Sequence, residues 1–175
     1  IKTYLIPAPM GEGTGGVQIA ASSGRTKTFD AKADGTGGGE GVIALLLRPL
    51  SLALADGDPI RAVIRGSRLN QDGASMGITA PNPDAQARLL RECWRDSGVE
   101  PEDISYLEAH GTGTKLGDPI ELEAITKAFA DYTGHRQFCA IGSVKSNVGH
   151  LDCAAGLAGI AKAVLMLERG KIPPT

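Results

Sequence analysis

Apolar side chains fall in short clusters along this chain, and their spacing changes between the polar, glycine-rich breaks. Residues 1 to 6, with Tyr4-Leu5-Ile6, predict a strand that Pro7 and Pro9 end. Residues 10 to 40 are rich in Gly, Ser, Thr and Asp and predict loop with short elements. Val42 to Leu47 is an unbroken apolar run, which over 42 to 48 predicts a strand buried on both faces. Pro49-Leu50-Ser51 opens a short helix that Asp56-Gly57-Asp58-Pro59 ends, and Ile60 to Leu69 predicts a second strand. At Asn82-Pro83-Asp84 an asparagine cap and a first-turn proline start a helix. Ala85, Leu89, Leu90, Cys93 and Trp94 then share one face until Gly98 stops it, so Cys93 and Trp94 read as core.

Ile104 to Leu107 predicts a strand, and Asp118-Pro119-Ile120-Glu121 reads as a capping box with Asp118 as the helix cap. The stripe Ile120, Ala124, Ile125, Ala128, Phe129 continues that helix. Phe138 to Lys145 predicts a further strand. Ala154 to Arg169 predicts a helix with Leu157, Ile160, Val164 and Leu165 inward, ended by Gly170. Strands and helices alternate, so the fold class is α/β, with a mixed sheet and helices on both faces.

Composition narrows the function. The chain has 175 residues, 42% hydrophobic and 22% charged, which is enough for one packed unit. A net charge of -2 offers no basic field for nucleic acid or for an anionic membrane surface. The apolar runs are too short to span a bilayer, and no signal segment opens the chain. Three cysteines, Cys93, Cys139 and Cys153, show no CxxC spacing. That fits a reducing cytoplasm and argues against a disulfide framework or a zinc site. Gly11-x-Gly13-x-x-Gly16 follows two prolines rather than a strand, and Gly35 to Gly41 lacks a phosphate-loop lysine, so both read as loops.

The chemistry concentrates in two stretches. Glu108-Ala109-His110-Gly111-Thr112-Gly113-Thr114 follows one predicted strand and Ser143-Val144-Lys145-Ser146-Asn147-Val148-Gly149-His150 follows another, each leading to a helix. Sites form at that edge of an open α/β sheet, so His110 and His150 are predicted to share a crevice. Two neutral imidazoles donating to one oxygen would stabilise an enolate or oxyanion, and Lys145 would bias their protonation. No third ligand completes a metal site. His135, in a polar linker, reads as solvated.

The stretch Glu-Ala-His-Gly-Thr-Gly-Thr-x-Leu-Gly-Asp-Pro-Ile-Glu from Glu108 to Glu121 closely resembles the β-ketoacyl synthase domain of modular polyketide synthases. So does the run Gly-Ser-Val-Lys-Ser-Asn-Val-Gly-His-Leu-Asp-x-Ala-Ala-Gly from Gly142 to Gly156. Upstream matches extend the resemblance at 25–30, 39–42, 69–73 and 79–82. It implies a thiolase-like αβαβα layered sandwich, here partial, in which 1–80 resembles the end of the N-terminal half and 81–175 the start of the C-terminal half. It implies decarboxylative Claisen condensation of an acyl thioester with a carrier-bound malonyl unit. His110 and His150 are then catalytic, with Lys145 tuning the site. Thr112 and Thr114 bind the phosphopantetheine arm, which the acyl carrier protein supplies; no cofactor is bound directly. Glu121 is either the acidic partner of Lys145 or simply the capping-box residue. The other polyketide synthase domains and a second copy of the parent domain are the further partners implied.

One departure matters. The family's nucleophilic cysteine lies in an Asp-Thr-Ala-Cys-Ser-Ser motif, and none of the three cysteines has that context; Cys153 reads as packing. The chain is therefore expected to be the middle of a longer ketosynthase and inactive alone. A fatty-acid type ketosynthase fragment, or a non-catalytic piece that binds a carrier protein or dimerises, are the alternatives.

Overall fold

The computed structural model describes residues 20–75, 77 and 80–175. The strand predicted over 1 to 6 and the Gly11 to Gly16 pattern lie outside them. Helix α1 spans Leu50–Asp56, and α2 spans Pro83–Ser97. The Asn82 side chain accepts the N–H groups of Asp84 and Ala85, both at 3.1 Å, and so satisfies two donors that a helix start leaves open.

Strand β1, Tyr106–Glu108, pairs in parallel with β2, Ala140–Gly142, with Leu107 opposite Ile141. Helix α3 spans Gly117–Ala130, α4 is the single turn Lys145–Val148, and α5 spans Ala155–Arg169.

Alternation along β1 distributes the helices. Leu107 joins a core formed by Ala87 and Trp94 of α2 with Ala128 and Phe129 of α3, sealed by Ile104, Phe138 and Cys139. The Trp94 and Phe129 rings are 4.7 Å apart, and Tyr132 meets Trp94 edge-on at 5.9 Å. Tyr106 and Glu108 point the other way, to α5, where Lys162 reaches both. Helices thus cover both faces of the strand pair. Truncating the central ring, Trp94→Ala, should cost about 3–5 kcal/mol. The readout is the urea midpoint of the full-length protein by far-UV circular dichroism.

Several expectations need correction. The stretches 42–48 and 60–69 enter no ladder among the described residues, and most of their large apolar side chains stand exposed, Leu46 fully so, while Ile43 packs against Leu151 and the start of α5. Their pattern fits burial on both faces, but a strand exists only with a partner alongside. The described strand pair is parallel. The strand predicted over Phe138 to Lys145 ends at Gly142, because the backbone turns into α4.

On α5 the buried positions are Ala155, Ala158, Gly159 and Lys162, whereas Ile160 and Leu165 are exposed. Small side chains let this helix approach the strands closely, which the larger residues would prevent. Cys153 is exposed and not packed.

Candidate active site

Three backbone segments converge at the carboxyl ends of β1 and β2. The first carries His110 directly off β1, where Ala109 N–H donates to Gly142 O at 2.8 Å and continues the ladder by one bond. Gly111 follows at φ 47°, and a Cβ there would lie 2.5 Å from a Thr28 methyl and 2.7 Å from Ser143 Cβ. Only glycine both adopts that conformation and fits that gap. The second segment turns through Ser143 and α4, then through Gly149 at φ 77°, to present His150.

The third segment, residues 20–39, ties the two loops together. Thr28 Oγ1 donates to Gly111 O at 2.7 Å, Thr36 Oγ1 donates to Thr112 O at 2.7 Å, and Gly35 N–H donates to Gly113 O at 2.9 Å. Gly39 N–H donates to His150 O, and His150 N–H donates to Gly37 O at 2.8 Å. Both histidine loops therefore hang on one strap.

The imidazoles of His110 and His150 meet edge to face, with ring centroids 5.6 Å apart and planes at 84°. They line an open-mouthed cavity of about 490 Å³ together with Glu108, Lys145, Asp152 and the small residues of α5. The shared crevice expected from the sequence is thus observed.

Asp152 N–H donates to His150 Nδ1 at 3.0 Å. An amide can only donate, so Nδ1 is the acceptor nitrogen, the ring is neutral, and its proton sits on Nε2. His110 is open at the cavity mouth, yet protein flanks it closely. Desolvation lowers its pKa below the usual 6.5, Lys145 lowers it further, and Asp118 partly opposes them. His110 is thus a neutral donor at neutral pH, and His150 presents the proton on its Nε2.

Lys145 is 5% exposed and forms no ion pair among the described residues. Burial lowers its pKa, while Glu121, Glu108 and Asp118 raise it through space.

The Glu121 carboxylate is first of all a brace for the histidine loop. It accepts His110 N–H at 2.6 Å and Gly111 N–H at 2.8 Å. It closes no capping box and forms no ion pair with Lys145 among the described residues, although the two charges act on each other through space. Burial pushes its pKa up in spite of those bonds.

Asp118 is not a helix cap either. It is buried and accepts Gly113 N–H at 3.0 Å and Phe29 N–H at 2.8 Å, bracing the glycine-threonine loop against the strap. The N–H at the start of α3, that of Gly117, is instead taken by Thr114 Oγ1 at 3.0 Å. Thr112 Oγ1 lies 3.3 Å from Thr114 Oγ1, so one hydroxyl proton of the pair remains for another acceptor. Neither threonine is in the cavity wall. His135 is exposed, 3.7 Å from Glu102 Oε1, far from this chemistry in role.

Sequence reasoning missed Thr28, Thr36 and Lys162. The threonines sit in a loop with no periodicity to mark them. Lys162 did leave a signal: a lysine three residues after Gly159 and four after Ala158, on the small-residue face of α5.

Solved structures share this fold. The ketosynthase from module 6 of the bacillaene synthase of Bacillus subtilis 168 is 50% identical, with a TM-score of 0.87 over 90% of this chain and 28% of that one. The module 1 ketosynthase of the bacillaene synthase of Bacillus amyloliquefaciens FZB42 is also 50% identical, with a TM-score of 0.86 over 89% of this chain and 30% of its own. These describe a part of the thiolase-like ketosynthase fold.

Residues 61–175 match the β-ketoacyl synthase C-terminal domain family, and the chain belongs to the β-ketoacyl synthases. Within that family its relatives are polyketide synthases. The highly reducing polyketide synthase alnA of Emericella nidulans is 51% identical over 158 residues, and polyketide synthase PksL of Bacillus subtilis is 50% identical over 155. The matches cover 90% and 89% of this chain but only 6% and 3% of those multidomain proteins. No helix among the described residues is long and apolar enough to cross a membrane.

Proposed function

We propose that these residues form the histidine half of a polyketide ketosynthase, an acyltransferase that joins an acyl thioester to a carrier-bound malonyl unit. The observation that carries this reading is the pair of neutral imidazoles meeting at 5.6 Å in one cavity beside a buried lysine.

Decarboxylation breaks the bond from the malonyl α-carbon to its carboxylate and releases CO2. The electron pair moves to the thioester as an enolate. His150, with its proton on Nε2, and His110 donate to the enolate oxygen, where charge develops. The enolate carbon then attacks the acyl thioester carbonyl, and a cysteine thiolate leaves as the new carbon–carbon bond closes. That cysteine comes from outside these 175 residues, since Cys153 is exposed and lacks the nucleophile context.

Lys145, as a cation beside His110, disfavours protonation of that ring. Thr112 and Thr114 offer the remaining hydroxyl proton to the phosphopantetheine arm of an acyl carrier protein. The partners are that carrier protein, the neighbouring synthase domains and a second ketosynthase copy.

The test incubates the full-length protein with an acyl thioester and a malonyl-loaded carrier protein. Equal amounts of CO2 and β-ketoacyl carrier are expected. CO2 release without a β-keto product, or neither, would overturn the reading. The 175-residue chain alone should take no acyl group on its own cysteines by mass spectrometry.

A further inference from the structure

We propose that Glu108 and Lys162 act as a positioning pair that keeps the Lys145 ammonium unpaired in the two-histidine cavity. The proposal deepens the condensing reading above and rests on it for its rate arm alone.

Lys162 is 7% exposed, on a helix face otherwise made of alanine and glycine. A buried ammonium is costly without a partner, and an apolar residue of that length would cost nothing, so the charge needs a reason. Its ammonium lies 3.0 Å from Glu108 Oε2, with no N–H aligned on it, and 5.3 Å from the Tyr106 ring centroid. Tyr106 O–H donates to the same Oε2.

The other carboxylate oxygen, Oε1, accepts the N–H of Val144, the residue immediately before Lys145. Gly159 leaves the room for this: a Cβ there would lie 3.0 Å from Glu108 Cγ. One carboxylate thus joins the end of β1, α5 and the turn into α4, two residues from His110.

Glu108 lines the cavity with Lys145 and acts on it through space. Two cations compete for this anion. Lys162 and Tyr106 occupy Oε2 and the Val144 amide takes one acceptor site of Oε1, so Lys145 faces an anion already engaged by another cation and two donors. With Lys162 gone, Glu108 has one cation left in range, and Lys145 collapses onto it.

The test reads His110 chemically in the full-length protein. Diethyl pyrocarbonate acylates only an unprotonated imidazole, and mass spectrometry of the His110 peptide gives the pH midpoint of that reaction. The charged groups acting on this ring are Lys145 and Asp118, with the His150 ring against it.

K162M should move the midpoint upward, because a neutralised Lys145 no longer opposes protonation. K162R should keep the wild-type midpoint, and E108Q/K162M should restore it. Malonyl decarboxylation should follow the same order, with K162M lower by about 10- to 100-fold. K162Q replaces K162M if the latter does not fold, with the same expected shift.

An unmoved midpoint, or a shift as large in the double variant, overturns the pair. If the wild type releases no CO2 while the midpoints still move in this order, the condensing reading falls and the pair stands.

Discussion

In the full-length protein, His110→Ala lowers malonyl decarboxylation by about 10²- to 10³-fold, the loss expected when one donor to a developing oxyanion is removed. Self-acylation stays largely intact, because that step does not generate the enolate that His110 serves. Carbon dioxide release and acyl-enzyme mass, measured separately, check the split; loss of self-acylation instead would assign His110 to the thiol.

The pH dependence follows from the same ring. Burial and Lys145 hold the His110 pKa below 6.5, and the neutral form is the working one. The rate therefore holds as pH falls to 6.5 and drops only as it passes through that lowered pKa. Lys145→Ala removes one of the two lowering causes, so the acid limb moves to higher pH. An acid limb that stayed in place would show that Lys145 does not bias this imidazole.

Much of the site was legible because its chemistry is local. His110 comes directly off one short strand and His150 follows the other through α4 and Gly149, and parallel pairing of Tyr106–Glu108 with Ala140–Gly142 brings the two ends together. The α2 helix was equally readable, since Asn82, Pro83 and Gly98 act on their own neighbours. What escaped depended on distant partners. Thr28 and Thr36 act on carbonyls 83 and 76 residues away, and no periodicity encodes that.

The stretches 42–48 and 60–69 show the converse. Their apolar pattern is plain in the sequence, but pattern states only a demand for burial. A ladder also needs a neighbouring strand, and the described residues place none there. Capping rules misassigned Asp118 and Glu121 for a related reason: a local partner was chemically adequate, yet tertiary contacts to the strap and the histidine loop took both carboxylates instead.

Asp118 therefore carries a large expected effect on stability. Its two oxygens hold Gly113 N–H and Phe29 N–H, joining the glycine-threonine loop to the strap at a point 4% exposed. Asp118→Ala leaves both donors without a partner in a place that water barely reaches. At about 1–3 kcal/mol for each orphaned donor, the loss is roughly 2–6 kcal/mol. Asp118→Asn keeps one acceptor oxygen and the shape, so its cost should be smaller. Faster amide hydrogen exchange in the peptides covering 26–30 and 111–115 would report the released loop before global unfolding. The electrostatic sign is also fixed: the Asp118 anion raises the His110 pKa, so either variant lowers that pKa further. A helix cap would behave otherwise, with exchange quickening along the first turn of α3 while Phe29 stayed protected. Protection of Phe29 in Asp118→Ala would therefore overturn the brace and return Asp118 to the cap.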